Sequence, residues 1–551
     1  MKNRFTLAVF LMLVMALVAI PVSAQDGNVF RFGEFGNPIQ LDGAVVTDGI
    51  SFRVINQGCE GLLTFDGATT NPVPLLASSW EASDDGLTWV FSLVEGATFH
   101  DGTPFNAESV VFNFDRWRFT DNPFHFEEQT FEYYEYMFSG FDDASFVASV
   151  EATGDYEVTF VLREPNGSFL NTLAMSMFTF ASPAAIEEYG TAYGTPEVGY
   201  VCTGPFTFGE WISDDRVVLN RYADYWGDNP GNVDTIIMQI IPDNAARFAA
   251  LQAGEIDAFE QPNVEDLPAI ESSDDTYLEM RGPLNVMYLA FSYRIQEFRD
   301  PLVRRAISMA FDRDAIVGAF YPDGAVSAAT MLPPTLWGFN SDIPVTPYDP
   351  EGAMALLAEA GYPDGLSEVN VLGLAEDGVT VTDEVVDTIS IDLFFQPVTR
   401  PYNPDGEGIG EAMVSYLADI GIDANLTSAG DWATFLDRRA NGDLIGLYQL
   451  GWTGDNGDPD NFLGYFYAAS PRATEGYYDN QEVSALLMEA RAGTSQEVRA
   501  PIYQQVEAIQ NAETARVYIA HTGVPLAFSS RVSGYVTNPL GNEFFKYVSV
   551  E

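Results

Sequence analysis

The stretch Trp80-Glu81-Ala82-Ser83-Asp84-Asp85-Gly86-Leu87-Thr88-Trp89-Val90-Phe91-Ser92-Leu93 sets two short runs around an Asp-Asp-Gly turn. Asp-Gly followed by an alternating run is a hairpin signal, because glycine accepts the positive φ that a tight turn requires. Gly96, Phe99-His100-Asp101-Gly102 and Pro104-Phe105 follow. Asn106 then stands where it can cap a helix with Ala107, Val110, Val111, Phe114 and Trp117 on its apolar face. An antiparallel unit therefore feeds directly into an amphipathic helix.

The same mixture extends in both directions. Upstream, Val29 to Phe35 alternates as a strand and Asp48 to Leu63 reads as helix-like. Downstream, strands are expected at Tyr156 to Leu162, from Thr203-Gly204-Pro205-Phe206 onward, and at Ile236 to Ile241, with a helix from Asn244 to Gln252 ending at Gly254. Pro301 to Phe320 reads as one helix, with Asp300 as N-cap and Pro301 at its first position. Pro350 to Ala360, Gly410 to Ile420, Asp431 to Ala440, Gln481 to Ala492 and Ala500 to Ala512 read as further helices. Phe394 to Val398 and Leu444 to Leu450 read as strands, and Val517 to Phe528 as strand and loop. Residues 365–390 are acidic and show no strong pattern. Strands and helices in this order predict an α/β fold, grading into mixed α+β. A chain of 551 residues is too long for one ordinary core, so two or three domains are expected. No fixed repeat and no Gly/Ser/Pro linker marks their borders, as discontinuous domains would leave it.

Composition narrows the function. Hydrophobic residues make up 47% of the chain and aromatics 13%, which excludes a disordered polymer despite a formal charge of −55. With 80 Asp and Glu against 25 Lys and Arg, the chain lacks the basic surface that nucleic acid or anionic lipid requires. Three histidines, His100, His125 and His521, leave little for histidine metal sites or Ser/His/Asp chemistry. Neither a metal nor a cofactor is expected. Lysine occurs only at Lys2 and Lys546, and such an acidic surface suits high salt or acidic surroundings.

Lys2 and Arg4 precede an apolar stretch from Leu7 to Ile20, then Pro21 and Val22-Ser23-Ala24. This predicts a secretory signal peptide over 1–24, cleaved after Ala24, rather than an uncleaved anchor. The mature protein is expected to be periplasmic or extracellular, without direct membrane insertion. Disulfides persist in such compartments, and two cysteines allow one intrachain pairing. A Cys59–Cys202 bridge is predicted, against the alternative of two buried thiols.

Two further stretches carry chemistry. Gly451-Trp452-Thr453-Gly454-Asp455-Asn456-Gly457-Asp458-Pro459-Asp460-Asn461-Phe462 is a Gly- and Asp-rich turn after a strand, a place where ligands meet a rigid scaffold. Its glycines let backbone approach a ligand, and its carboxylates suit a cation or an ammonium group. The aspartate spacing does not match a calcium loop; a turn whose aspartates serve only its own amides is the plainer alternative. In Arg400-Pro401-Tyr402-Asn403-Pro404, the guanidinium can meet a carboxylate in two parallel bonds, or form a structural salt bridge. Gly406-Glu407-Gly408-Ile409-Gly410 has the wrong spacing for a phosphate loop and suits a helix start better.

Across the whole mature chain these stretches resemble the family 5 extracellular solute-binding proteins of peptide ABC importers. The hairpin–helix region carries the likeness, continued by Gly199 to Phe206, Pro301 to Ala310, Leu332-Pro333-Pro334 and Trp337-Gly338. Within the family the second and third stretches are most similar to the dipeptide binders. The resemblance implies a periplasmic-binding-protein-like, two-lobed fold with an extra domain, the three-domain cluster C arrangement. By that analogy domain I is 25–76, 201–284 and 523–551, domain II is 77–200, and domain III is 285–522. Residues 367–390 look like an insertion. The resemblance further implies that Arg400 takes a peptide's carboxylate and Asp455 its ammonium, with Trp452, Tyr402 and Gly454 around them. The expected partners are a small peptide and an ABC permease in the cytoplasmic membrane, with the binder a monomer and not an enzyme.

The same scaffold is shared by relatives for heme, glutathione, nickel or longer peptides, so another solute is the alternative ligand. An exported hydrolase working through paired carboxylates is a separate class, but no G-x-S-x-G, H-E-x-x-H or S-x-x-K signature with supporting context is present. A binder that presents its ligand to a receptor is a third reading.

Overall fold

The computed structural model describes residues 28–468 and 472–551. The predicted signal peptide, 1–24, lies outside these residues. Among the described residues no helix is long and apolar enough to cross a membrane.

The quoted hairpin forms as expected. Strands Ala77–Ala82 and Thr88–Leu93 pair antiparallel, with Trp80 opposite Phe91. Gly86 takes φ +69° in the turn, while the Asp85 carboxylate accepts the Leu87 amide at 3.1 Å. Strands Glu157–Leu162 and Val147–Gly154 complete a four-stranded sheet. Helix Ala107–Arg118 begins in a reciprocal cap between Asn106 and Ser109 and buries Val110, Phe114 and Trp117. Phe91, Phe160 and Phe114 meet edge-to-face there, an arrangement that aligns ring edges with ring faces.

Strand Val29–Glu34 enters a different sheet of seven strands. It pairs parallel with Thr235–Ile240 and Ala258–Glu260, and the C-terminal strand Val524–Ser529 also joins that sheet. Cys59 and Cys202 are joined by a disulfide across 143 residues, tying the end of helix Gly49–Gly58 to the segment that leads into strand Phe206–Ile212. At the heart of this unit Arg53 pairs with Glu34, Glu260 and Glu543, and Arg281 pairs with Glu260 and Glu543. Three buried carboxylates thus share two guanidinium groups. Burial raises the Glu34 carboxyl above its ordinary range, and the other two carboxylates add to the rise.

A third sheet is built around Asn285–Phe291, all seven of whose residues are buried. On one side lies Val517–His521; on the other Leu447–Thr453, followed by Val381–Phe395. Two chain crossings link this sheet to the preceding one, at 281–285 and 521–524. They are bonded to each other: the Asn285 side chain donates to the Thr522 carbonyl at 2.8 Å and accepts the Thr522 amide at 3.1 Å.

Several expectations are corrected. Pro301 to Phe320 is two helices, Pro301–Met309 and Arg313–Phe320. Between them buried Arg313 donates to the Ser308 carbonyl at 3.0 Å, and Asp312 caps the second helix. Asp48 to Leu63 is a shorter helix, Gly49–Gly58, capped by Asp48, and Leu63 opens a strand. The patternless 365–390 segment is a hairpin, Glu368–Leu374 with Val381–Phe395, and its outer half is solvated on both faces, which erases alternation. Phe394 to Val398 is therefore not a separate strand. Helix Gln496–Glu513 starts before Pro501, which sits near its first turn where a missing N–H costs one bond. Asp405 caps helix Gly406–Asp419, so the Gly406–Gly410 run is the helix start.

Candidate ligand-binding site

The predicted strand Leu444 to Leu450 runs instead from Leu447 to Thr453, so Trp452 lies within it, paired with Val286. The loop that follows brings Asp455 to the mouth of the sheet. Gly451 has a definite purpose: a Cβ there would lie 2.2 Å from the Tyr402 ring and 2.4 Å from the Val286 carbonyl. Only a bare backbone lets Tyr402 lie flat against the strand.

The Arg400 loop is fixed to the same strand from the other side. Arg400 and Asn403 exchange backbone hydrogen bonds at 3.0 and 2.9 Å. Asn403 Nδ2 then donates to Oε1 of fully buried Gln449 at 3.2 Å, and the Gln396 amide donates to that same oxygen at 3.3 Å. One strand thus carries both loops, which keeps their separation constant.

Arg400, Tyr402, Trp452 and Asp455 line one cavity of about 650 Å³. Tyr133 and Tyr136, on helix Glu132–Met137 of the unit with the four-stranded sheet, close it from the opposite side. Gly454 is not in its wall: its amide donates to the Leu284 carbonyl at 2.8 Å, and a Cβ would strike Phe462 at 2.5 Å. Gly454 packs closely behind the wall that its neighbours Thr453 and Asp455 form.

Among the described residues Arg400 forms no ion pair. Its guanidinium lies 5.1 Å from the Trp432 ring centre, and it faces Tyr402, whose hydroxyl burial pushes up while Arg400 opposes the rise. Asp455 likewise has no cationic partner. Burial pushes its carboxyl up to about 6, against the lowering effect of hydrogen bonds from Asn461 and Tyr133. The other cavity arginine, Arg439, is committed to Glu475 at 2.6 Å.

The role of Asn461 appears only in the fold. Its Oδ1 accepts from Trp452 Nε1 at 3.0 Å and from the Asp455 amide at 2.9 Å, while its Nδ2 donates to the Asp455 carboxylate at 3.0 Å. Asp458 and Asp460 are not in the cavity wall: Asp458 takes both Nη atoms of Arg499 at 2.7 Å, and Asp460 takes Arg491 at 3.0 Å. Sequence reasoning also passed over Tyr133, Tyr136 and Trp432. The run Phe131-Glu132-Tyr133-Tyr134-Glu135-Tyr136 is an unusual concentration of aromatics and acids, and that was the available signal.

The two sides of the cavity touch directly. Tyr133 Oη donates to Asp455 at 3.5 Å, Asn171 Nδ2 donates to the Asn456 carbonyl at 2.8 Å, and Arg499 Nη1 donates to the Gly167 carbonyl at 3.0 Å. The cavity is therefore walled from both sides.

A cavity walled by two parts of a chain that crosses twice between its large sheets, with unpaired opposite charges inside, is the site of a solute-binding protein. Residues 71–474 match the family described as Bacterial extracellular solute-binding proteins, family 5 Middle, and the chain belongs to that family. It is 32% identical over 559 residues to a dipeptide-binding protein of Escherichia coli (strain K12), covering 98% of both chains. It is 34% identical over 543 residues to heme-binding protein A of Haemophilus influenzae, covering 96% of this chain and 93% of the other. A crystal structure of a dipeptide-binding protein from Pseudoalteromonas sp. SM9913 in complex with Met-Leu superposes with TM-score 0.76 at 27% identity, covering 95% of this chain and 100% of that one.

Proposed function

We propose that the chain is the extracytoplasmic binding component of an ABC importer for di- and short oligopeptides. Arg400 receives the peptide carboxylate and Asp455 the ammonium group. The observation that carries this is the pair itself: a guanidinium and a carboxylate, neither with an ionic partner among the described residues, line one cavity. A zwitterion supplies each with the counter-charge that a group withdrawn from water needs. The relatives named for dipeptides, and the one solved with Met-Leu, support the same reading.

Chain length is read by the spacing of the two charges, while side chains meet aromatic walls and water. Domain I comprises 25–76, 201–284 and 523–551, domain II 77–200 and domain III 285–522, with the crossings at 281–285 and 521–524 as hinge. The protein is exported by cleavage after Ala24, acts as a monomer, binds and releases without turnover, and hands its ligand to a membrane permease.

Mass spectrometry of the small molecules released from purified, denatured protein tests this, with calorimetry against Leu-Leu. Di- or tripeptides and a saturable heat are expected. Release of a sugar or heme, with no heat from Leu-Leu, rejects the peptide reading while leaving the family intact.

A further inference from the structure

The cavity holds more negative charge than the termini of a peptide use. Besides Asp455, it is lined by Glu132 and Glu135, and its two cations are Arg400 and the already paired Arg439. Glu132, Tyr133, Glu135 and Tyr136 all line the cavity from helix Glu132–Met137, while Tyr134 is turned into the core. Among the described residues neither glutamate has a cationic partner. Arg472 hydrogen-bonds the Tyr465 carbonyl and lies 5.4 Å from the centre of that ring.

Aromatic rings stand beside these carboxylates. Tyr133 and Tyr136 line the same cavity, and the Tyr136 ring packs edge-on against Tyr465, itself in the wall, with ring centres 4.8 Å apart. Carboxylates set among aromatic faces form a surroundings that attracts ammonium and guanidinium groups and repels anions.

We infer that the site prefers peptides whose first residue carries a cationic side chain, lysine or arginine, held against Glu132 and Glu135 beside Tyr133 and Tyr136. The position follows from Tyr133, which hydrogen-bonds Asp455 and so places this helix at the ammonium end of the peptide. This inference rests on the peptide reading proposed above.

Calorimetry at low salt with Lys-Leu, Leu-Lys, Leu-Leu and Glu-Leu tests it. Lys-Leu is expected to bind about tenfold more tightly than Glu-Leu, a margin that narrows with added salt because the glutamates are exposed. Lys-Leu is also expected to exceed Leu-Lys. The preference for Lys-Leu over Glu-Leu should collapse in the double variant Glu132→Gln, Glu135→Gln. Equal affinities for Lys-Leu and Glu-Leu, or a preference that persists in the double variant, overturns the inference and leaves the peptide reading standing. Silence from all four peptides overturns both.

Discussion

Asn461 grips Asp455 twice, accepting its backbone N–H at 2.9 Å and donating to its carboxylate at 3.0 Å. The same side-chain oxygen holds the Trp452 indole N–H. One amide therefore orients both the anionic hook and an aromatic wall of the cavity.

Asn461→Ala should weaken dipeptide binding by about 1–3 kcal/mol, since it frees Asp455 to rotate and strands the Trp452 N–H. Calorimetry gives the affinity, and the Asn461→Asp variant adds a repelling carboxylate that should weaken it as well. Unchanged dissociation constants in both variants would remove Asn461 from the site.

The raised Asp455 carboxyl makes binding proton-linked. Near pH 5 the ligand-free protein carries a proton there, since its pKa lies at about 6 rather than 3.8. An incoming ammonium favours the carboxylate and expels that proton. Calorimetry in buffers of different ionisation enthalpy should show release of about one proton per peptide near pH 5 and almost none at pH 7. Affinity should fall as pH drops below 6. Asp455→Asn should abolish the release; proton release that survives in this variant points to another group.

Asp455 also bears on stability, with the opposite sign to an ordinary salt-bridged carboxylate. Its folded pKa exceeds its unfolded one, so its favourable contribution is complete below about pH 4 and is lost as pH rises through 6. At pH 7 Asp455→Asn should raise the melting temperature of ligand-free protein while weakening peptide binding. A lower melting temperature with the fold intact contradicts the buried, uncompensated charge.

Arg400→Ala should cost about 2–5 kcal/mol in affinity by leaving the peptide carboxylate unpaired. Amidating the peptide's C-terminus should cost the wild type a similar amount and the variant little. Equal losses in both proteins would break the link between Arg400 and the carboxylate.

Arg53 is the hub of the ionic cluster beside the sheet that contains Val29–Glu34. Arg53→Met should destabilise by about 3–5 kcal/mol, because Glu34 loses its ion-pair partner and Glu260 and Glu543 are left with Arg281 alone. Urea unfolding reads this directly, and a loss below 1 kcal/mol on that measurement would show that the carboxylates take up protons at little cost.

Local structure was legible where local forces decide it. The Asp84-Asp85-Gly86 turn, the Asn106 cap, the Gly254 stop and the helix Gln481–Ala492 all depend on residues within one or two turns of each other. Misreadings fell where a distant partner overrides the local pattern. Arg313 breaks a run that is apolar-periodic throughout, because it reaches back to Ser308 and across to the Tyr518 carbonyl at 2.6 Å. The hairpin at 368–395 has no alternation to read, since water covers much of both its faces.

The sequence by itself determined the chemistry on offer: an acidic, histidine-poor chain, one cysteine pair, and an arginine and an aspartate in loops suited to charged ligands. Those properties belong to residue identities and short spacings. Only the tertiary structure decided which charges face the cavity. Asp455 is 55 positions from Arg400 and 322 from Tyr133. Asp458 and Asp460, in the same loop as Asp455, are neutralised by arginines 41 and 31 positions away. Pairing across such distances is set by how the strands and lobes stack, and no local pattern records it.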